Sequence, residues 1–276
     1  MIRLKPSQNE KAEQVFAKTI YRHSHMGWLD LSEIGNAGGY AWLDSRAMGK
    51  TLIALQPIAE DCFWLHSFYS LKEPGNYDLS GKLKEILPPG RNAVYAISSH
   101  NWFNELLEIN SFSLCDEIIQ FVTNQIRMPE NSGPYIPVKP HSMAQMDIYA
   151  NCESAFPRVW QLGRFEFQEA FADASYIRAV YIDEQPAGYL MAQMEPDNCH
   201  ILRLAVSKDH QSKGIASVLV HDLIRECHEQ GITDFSVNTS RNDNAAVSFY
   251  ERLNFQLIPE RFPVYCRYIS GTNEKA

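Results

Sequence analysis

The stretch HQSKGIASVLV, residues 210–220, decides how the second half of the chain folds. It follows the strand-like residues ILRLAV, and its polar part ends at Gly214, where an apolar segment begins at once. Apolar side chains then recur at every fourth position, at Ile215, Leu219 and Leu223, which predicts an amphipathic helix. An abrupt change from strand to helix at a glycine is typical of helix starts that bind anions.

The composition indicates a globular protein with two domains. The chain has 276 residues, which fits two domains of about 100–150 residues each better than one. Its net charge of −8 disfavours nucleic acid and anionic membranes, whose phosphates it would repel. The sequence has neither a signal-peptide pattern nor the roughly 18 consecutive apolar residues of a membrane span. We therefore expect a cytoplasmic protein with no nucleic-acid or membrane partner.

The cysteines and histidines predict neither disulfides nor a metal site. The six cysteines lie far apart, and none forms a CxxC pair, so reduced thiols are expected. His23 and His25 are two residues apart, but no cysteine or acidic ligand pattern follows them. We expect no bound metal.

A segment with four prolines and one glycine, MPENSGPYIPVKPH at residues 128–141, predicts a linker and therefore domains at 1–130 and 131–276. In the second half, helices are predicted at 143–156, from Ile215 to a stop at Gly231, and at 244–255. Strands alternate with these helices, which indicates an α/β sheet. They are predicted at 176–182, 187–192, 199–206, 235–239 and 263–269.

The first half gives a similar but weaker pattern. A helix is predicted at 10–21, with Val15, Phe16 and Ile20 facing inward. Strands are predicted at 2–5, 40–43, 51–55, 63–68 and 93–97. No counterpart of HQSKGIA occurs in this half, and the equivalent region is KEPGNYDLSGKLKEILPPG, residues 72–90.

An internal repeat links the two halves. LLEINSFSL at 106–114 and FYERLNFQL at 249–257 stand at the same point of two similar element orders, which indicates a duplication. The aligned pairs are Leu106 with Phe249, Leu107 with Tyr250, Glu108 with Glu251, Phe112 with Phe255 and Leu114 with Leu257.

The residues around Gly214 have the properties of a phosphate cradle. The first turn of a helix leaves its N–H groups without internal acceptors, and the helix dipole adds positive charge there. Gly214 permits a close approach of the backbone, and the small Ala216 indicates a second one. The pattern is neither the dinucleotide GxGxxG nor the P-loop GxxxxGK. The alternative is a helix that merely begins with a glycine.

The second half contains, in order, a strand ending in LAV, the segment QSKGIA opening a helix, another strand and the segment NAAVSFYERLNF. This order resembles the GNAT N-acyltransferase superfamily over about residues 135–270. The resemblance implies an α/β (α+β) fold of two tandem GNAT-like domains, each a mixed, mostly antiparallel sheet flanked by helices, the first a degenerate copy. It also implies transfer of an acetyl group from acetyl-CoA, without a metal, to a primary amine of a small molecule or peptide.

The resemblance assigns two groups of cofactor-binding residues. The strand before the cradle splays from its neighbour in this family and hydrogen-bonds the pantetheine arm, while the cradle and the start of the final helix complete the site. The pantetheine group is Leu204, Ala205 and Val206. The second group is Gln211, Ser212, Lys213, Gly214, Ile215, Ala216, Ser217, Asp243 and Asn244, with Asp243 or Asn244 as the helix cap.

Tyr250 occupies the position of the family's proton donor to the departing thiolate. Proton transfer from tyrosine, pKa about 10, to a thiolate, pKa about 8.5, is uphill by roughly 2 kcal/mol. Hydrogen-bond stabilisation of the thiolate is therefore the expected role, and packing on an apolar helix face is the alternative. The aligned residue in the first half is Leu107, which cannot donate, so we expect no chemistry there.

The general base is unassigned, because the sequence departs from the family at several positions. Asn238 stands where related enzymes have a glutamate, and Arg203 lies on the strand where another glutamate is common. His200, Glu166 or a water chain could serve, and the missing base favours an amine of low pKa. Asn254 replaces the usual glycine before Phe255, a mild change because Asn tolerates left-handed geometry.

Three readings of function remain open at this point. The leading one is an N-acetyltransferase whose first half walls the acceptor pocket or mediates contacts in a homodimer. The second is a non-catalytic acyl-CoA-binding or regulatory module. The third, aminoacyl transfer from tRNA, is disfavoured by the negative net charge and the intact cradle.

Overall fold

A computed structural model describes residues 1–24, 34–36, 38–45, 50–127, 134–140 and 144–272. The chain forms two compact units. Unit 1 comprises Met1–Glu117 and Phe262–Ala276, and unit 2 comprises Ile118–Arg261. The predicted linker lies partly outside the described residues, at 128–133 and 141.

The described part of the chain contains both helices and strands. Up to residue 123 they are β1 (Ile2–Arg3), α1 (Asn9–Phe16), β2 (Tyr21–Ser24), β3 (Tyr40–Asp44), β4 (Thr51–Ala59), β5 (Cys62–Ser70), α2 (Leu79–Ile86), β6 (Gly90–Ile97), α3 (Asn101–Ile109) and β7 (Ser113–Thr123). After it they are α4 (Gln145–Cys152), α5 (Arg164–Asp173), β8 (Tyr176–Ile182), β9 (Gln185–Met194), β10 (Asn198–Val206), α6 (Ile215–Glu229), β11 (Asp234–Ser240), α7 (Asn244–Arg252) and β12 (Gln256–Gly271).

The borders of the two units differ from the predicted division at residue 130, and two strands account for the difference. The end of β7, from Ile118 to Thr123, pairs with β11 and belongs to unit 2. The end of β12, from Val264 to Gly271, pairs with β6 and belongs to unit 1. Because strand pairing ignores sequence order, unit 1 consists of two separate segments of the chain, whereas unit 2 is one continuous segment.

Unit 2 contains a mixed sheet in the order β8-β9-β10-β11-β7. Every pair in it is antiparallel except β10–β11. Helices α6 and α7 contribute to its main core, in which Leu219, Leu223 and Ile224 are fully buried. The mixed α/β class with a mostly antiparallel sheet is thus confirmed.

The predicted elements of unit 2 agree closely with the structure. β8 has the predicted bounds, and α6 begins directly after Gly214. Asp183 and Glu184 connect β8 to β9 with positive φ angles of 50° and 64°. Gly231 follows the end of α6 with a φ of 78°, the left-handed conformation that ends helices.

Unit 1 contains a sheet in the order β1-β3-β4-β5-β6-β12, and β2 pairs with β5 beside this path. The predicted strands are present, but the first helix is shorter than predicted and ends at Phe16. Phe16 is fully buried, whereas the predicted inward positions of Val15 and Ile20 are wrong, since these side chains are 48% and 79% exposed. Ile20 lies beyond the helix, just before β2, so helical periodicity does not apply to it.

The two repeated segments are structurally equivalent. Each closes a helix and leads into a strand, α3 into β7 and α7 into β12. The N–H of Phe112 donates to the Leu107 carbonyl at 2.9 Å, and the N–H of Phe255 donates to the Tyr250 carbonyl at 3.1 Å. Ser111 and Asn254 both have positive φ, 60° and 68°. The tolerance expected of Asn254 for left-handed geometry is confirmed.

Among the described residues, no helix combines the length and apolar character that crossing a membrane requires. Within the same ranges, no three His, Cys, Asp or Glu side chains are grouped so as to hold a metal ion. His25 lies outside the described residues. All six cysteines are free thiols.

His23, on β2, is an unusual buried histidine of unit 1. Its side chain is 1% exposed, its ring stacks on Phe103 at 3.9 Å, and neither ring nitrogen has a hydrogen-bond partner among the described residues. Burial, and then the neighbouring His100 and His66, lower the pKa of His23 from 6.5 to about 3. The imidazole is therefore neutral in the folded unit.

This lowered pKa predicts an acid-sensitive unit 1. Because the folded pKa lies below the unfolded value, His23 opposes unfolding fully above pH 6.5 and loses that contribution as the pH falls toward 3. At about 1.4 kcal/mol per pH unit, the loss at pH 5 is about 2 kcal/mol. We expect His23→Phe to reduce the difference in unfolding free energy between pH 7.5 and pH 5 by this amount, in urea titrations followed by tryptophan fluorescence.

Unit 1 carries four of the five tryptophans, so the fluorescence reports mainly on it. His221→Gln, in unit 2, is the matched control. An unchanged pH dependence in His23→Phe would contradict the assignment.

Candidate active site

The loop between β10 and α6 has the backbone geometry of an open helix start. A 3-10 turn at Lys208–His210 leads into it, and Ser212 has a positive φ of 60°. Gly214 is the N-cap of α6, with φ 86° and ψ 0°. This left-handed conformation favours glycine, because glycine has no Cβ atom to clash with the backbone.

The first turn of α6 leaves its amides without acceptors. No hydrogen bond between described residues uses the N–H groups of Ile215, Ala216 or Ser217. Gly214 has no side chain to cap them, unlike the Ser, Thr, Asp and Asn common at helix starts. These groups and the helix dipole form a positive site suited to an anion.

Two of the predicted anion-binding side chains make hydrogen bonds that hold the loop in place. The Gln211 side chain donates from Nε2 to the Val206 carbonyl at 3.3 Å. Lys213 donates from Nζ to the Asp209 carbonyl at 2.8 Å. Both side chains are exposed, so the positive charge of Lys213 lies at the surface of the loop.

The strands before the loop part from each other. The parallel ladder of β10 and β11 ends at Ile201 and Val237, while β9 continues along the opposite edge of β10 as far as Val206. No strand among the described residues therefore pairs with the outer edge of Leu204–Val206. This confirms the splay that the family resemblance predicts.

A β-bulge at Leu202 marks the place where the ladder ends. A bulge shifts the alternation of side chains by one position. Ile201 packs in the core with α6, and after the bulge Leu204 and Val206 are the residues that contact this core. Arg203 is directed to the other face, where it contacts Glu153.

Gly188 brings the start of α6 against the sheet. A Cβ at this position would lie 2.8 Å from Cγ2 of Ile215 and 3.0 Å from the Ala205 carbonyl oxygen. Ile215 is 1% exposed, so it cannot move aside into solvent. The close approach fixes the first turn of α6 beside the open edge of β10.

Helix α7 begins at the same edge of the sheet as α6, because β10 and β11 run parallel and each leads into a helix. Asp243 is its N-cap, and its Oδ1 accepts a hydrogen bond from the Ala246 N–H at 2.9 Å. Of the two predicted caps, Asp243 is therefore the one used. Asn244 is the exposed first residue of the helix.

Tyr250 lies on the buried face of α7 and is 5% exposed. Its ring packs against those of Phe121, Phe249 and Phe255, at 6.4, 5.4 and 5.5 Å between centroids. No hydrogen bond among the described residues uses its hydroxyl group. Burial, and then the charge of Asp243, raise the pKa of Tyr250, so the phenol remains protonated.

A buried ion pair that the sequence did not reveal occupies the other face of β10. The Arg203 guanidinium pairs with Glu153 and also donates to the Trp160 carbonyl at 3.1 Å and the Tyr189 hydroxyl at 3.3 Å. Tyr189 donates in turn to Oε2 of Glu153 at 2.8 Å. Arg203 thus fastens the segment after α4 to the sheet, and the carboxylate of Glu153 is fully engaged.

Neither candidate base from the sequence is a free carboxylate or an exposed imidazole. Glu166 accepts a hydrogen bond from the Gly163 N–H at 2.8 Å and so caps α5. His200 shares a hydrogen bond of 2.9 Å with the Ser236 hydroxyl, within the part of β10 that is still paired with β11. Burial lowers the pKa of His200, against an opposing effect of Glu195, so the imidazole is neutral.

Residues 145–255 match the family model described as Acetyltransferase (GNAT) family. These residues form a GNAT domain. The domain contains both the open start of α6 and α7 with Tyr250.

Curated relatives agree with this identification. N-acetyltransferase 8B of Rattus norvegicus is 32% identical over 87 residues, 32% of this chain and 36% of the relative. The [ribosomal protein bS18]-alanine N-acetyltransferase of Salmonella typhimurium is 27% identical over 73 residues, 26% of this chain and 49% of the relative. The chain therefore spans between a third and half of the length of these relatives.

The likeness of fold extends beyond the GNAT domain. A tandem GNAT protein from the clavulanic acid biosynthesis pathway superposes with a TM-score of 0.55 at 9% identity, covering 99% of this chain and 98% of that one. At this identity the likeness concerns the fold alone. It confirms the predicted tandem GNAT architecture.

The cap of α7 generates a stability prediction. We expect Asp243→Ala to lower the free energy of unfolding by about 1 kcal/mol, because the Ala246 N–H loses its acceptor. Asp243→Asn, which keeps an oxygen at the same place, should retain most of the stability. Thermal unfolding of the three proteins measures both effects, and equal losses in the two variants would contradict the cap.

Proposed function

We propose that the chain is an acetyl-CoA-dependent N-acetyltransferase that acetylates a primary amine of a small molecule or peptide, and that its GNAT domain carries the reaction. The observation that carries the proposal is the pair of unsatisfied backbone surfaces at one edge of unit 2. These are the first-turn amides of α6 and the unpaired edge of β10 at Leu204–Val206.

The two surfaces fit the two halves of coenzyme A. Its diphosphate is an anion, which the N–H groups of Ile215, Ala216 and Ser217 are suited to bind. Its pantetheine arm contains amides, which can pair with the open edge of β10 as a strand would. Lys213 adds positive charge at the loop, while Gln211 keeps the loop attached to β10.

Acetyl-CoA supplies an already activated thioester, so no covalent intermediate with the enzyme is needed. A C–N bond to the amine forms, the C–S bond breaks, the amine loses a proton and the departing sulfur gains one. We assign Tyr250 the role of hydrogen-bonding the departing sulfur. Since burial and Asp243 raise its pKa, it stays protonated and acts mainly as a hydrogen-bond donor to the developing thiolate.

The surroundings of β10 favour an acceptor amine of low pKa. Arg203 cannot accept a proton, and Glu153 is held by Arg203 and Tyr189. An α-amino group, pKa about 8, needs less help to lose its proton than a lysine side chain near 10.4. Because one relative is named as an alanine N-acetyltransferase of a ribosomal protein, peptides with N-terminal alanine belong in the acceptor panel.

The competing function is a non-catalytic acyl-CoA-binding or regulatory module, and the lack of an evident base supports it. Thiol release from acetyl-CoA, measured with small amines, lysine and alanine-initiated peptides, separates the two. Release that depends on an amine supports the transferase. Binding of acetyl-CoA without release by any acceptor would favour the module.

The cradle predicts that Gly214→Glu abolishes coenzyme A binding. A glutamate there would be strained at a φ of 86° and would place a negative charge beside the anion site. We expect the affinity measured by calorimetry to fall by at least about 100-fold, taking about 3 kcal/mol for loss of the anion contacts.

Gly75→Glu is the matched control, since Gly75 also has positive φ and a Cβ there would meet no atom within 4 Å. It changes the net charge equally and lies in unit 1. Normal affinity in Gly214→Glu would place the diphosphate elsewhere.

Tyr250 generates a kinetic prediction. Tyr250→Phe keeps the aromatic contacts and removes only the hydroxyl, so kcat should fall by about 10- to 100-fold while coenzyme A affinity changes little. Tyr181→Phe, another tyrosine of unit 2, is the control. Unchanged turnover in Tyr250→Phe would reassign Tyr250 to packing.

A further inference from the structure

Unit 1 contains the same strand arrangement as the proposed cofactor site of unit 2. Its one parallel pair among the described strands, β5–β6, ends at Trp64 and Tyr95, as the pair β10–β11 ends at Ile201 and Val237. β5 also carries a bulge, at His66, in the place of the bulge at Leu202 of β10.

Counted from these bulges, Ser67–Ser70 of β5 corresponds to Arg203–Val206 of β10. Both segments form the last four residues of their strands. β4 covers one edge of Ser67–Ser70, as β9 covers one edge of the segment in β10. The other edge of each segment is no longer paired with the parallel neighbour, which is β6 in unit 1 and β11 in unit 2.

In unit 1 that edge is filled by the chain itself. β2 pairs with it in antiparallel register, from Tyr21 opposite Ser70 to Ser24 opposite Ser67. The Thr19 hydroxyl donates to the Ser70 carbonyl at 2.5 Å, and the hydroxyls of Ser24 and Tyr69 are hydrogen-bonded at 2.6 Å. β2 therefore occupies the place at which β10 has an open edge.

The start of α2 is closed as well. Its three first-turn amides all have acceptors: the Leu79 N–H donates to the Tyr77 carbonyl at 2.9 Å, the Ser80 N–H to Asn110 Oδ1 at 3.0 Å, and the Gly81 N–H to Asp78 Oδ1 at 2.8 Å. The carboxylate of Asp78 takes the position of an external anion. The corresponding amides of α6 have no acceptors among the described residues.

The helix beside the gap is bulkier in unit 1. Trp102 and Phe103 follow Asn101 at the start of α3, where Ala245 and Ala246 follow Asn244 at the start of α7. Tyr21 of β2 meets Trp102 edge-on at 5.7 Å, and His23 of β2 stacks on Phe103 at 3.9 Å. The aromatic side chains thus fill the space next to β2.

We infer that β2 and Asp78 are built-in occupants of the cofactor position of unit 1, so that each chain binds one molecule of coenzyme A, in unit 2. This inference rests on the proposed function, because the comparison takes the cradle of α6 as the cofactor site. Three separate elements of unit 1 close its position: a strand at the open edge, a carboxylate at the helix start and aromatic rings at the side.

Binding stoichiometry tests the inference on the full chain. Calorimetric titration with coenzyme A should give one site for the wild type and for Gly75→Glu, and none for Gly214→Glu. Two sites in the wild type, one of which persists in Gly214→Glu, would overturn the inference and leave the proposed function standing. A single wild-type site that persists in Gly214→Glu would place coenzyme A outside the cradle and overturn both. No site in the wild type would overturn the proposed function itself, and the single-site inference with it.

Hydrogen exchange followed by mass spectrometry tests the same inference without a variant. Without ligand, amides of residues 67–70 should exchange on the order of tenfold or more slowly than those of 204–206, because β2 covers only the former. Added coenzyme A should slow exchange in 204–217 and leave 19–24 and 67–81 unchanged. Ligand-dependent protection of 67–81 would overturn the inference.

Discussion

The parting of two parallel strands sets the main constraint on both units. When β10 leaves β11, and β5 leaves β6, backbone N–H and C=O groups lose the partners that a continuous ladder would provide. Buried backbone groups must find other partners, from the chain, from water or from a ligand. Unit 1 satisfies them with β2, whereas unit 2 leaves the edge of Leu204–Val206 open.

Much of unit 2 could be predicted because its signals are local. The strand Tyr176–Ile182 is bounded by turn residues, and α6 combines a regular apolar spacing with glycines at both ends. Unit 1 was harder. The short strand Tyr21–Ser24, YRHS, has no apolar alternation, and it forms because the edge of β5 needs a partner rather than because of its own propensity.

The candidate site divides in the same way. Gly214 and the Asp243 cap could be found from the sequence, because each acts on residues no more than four positions away. The pairing of Arg203 with Glu153 joins residues fifty positions apart. It also depends on the bulge at Leu202, which turns Arg203 away from α6 and for which the sequence carries no clear signal.

The same positions have opposite consequences in the two units. An aspartate at a helix start contributes about 1 kcal/mol, and Asp78 does so at α2 by accepting a hydrogen bond from the Gly81 N–H. Gly214 has no side chain that could make such a contribution at α6, so the first-turn amides of α6 keep no side-chain acceptor. Trp102 and Phe103 pack against β2, whereas the aligned residues of α7 are the small Ala245 and Ala246. Closing the gap between the parted strands therefore stabilises unit 1. In unit 2 the gap stays open, and a bound ligand would provide the contacts that are missing there. A binding site is expected to reduce the stability of the free protein in this way.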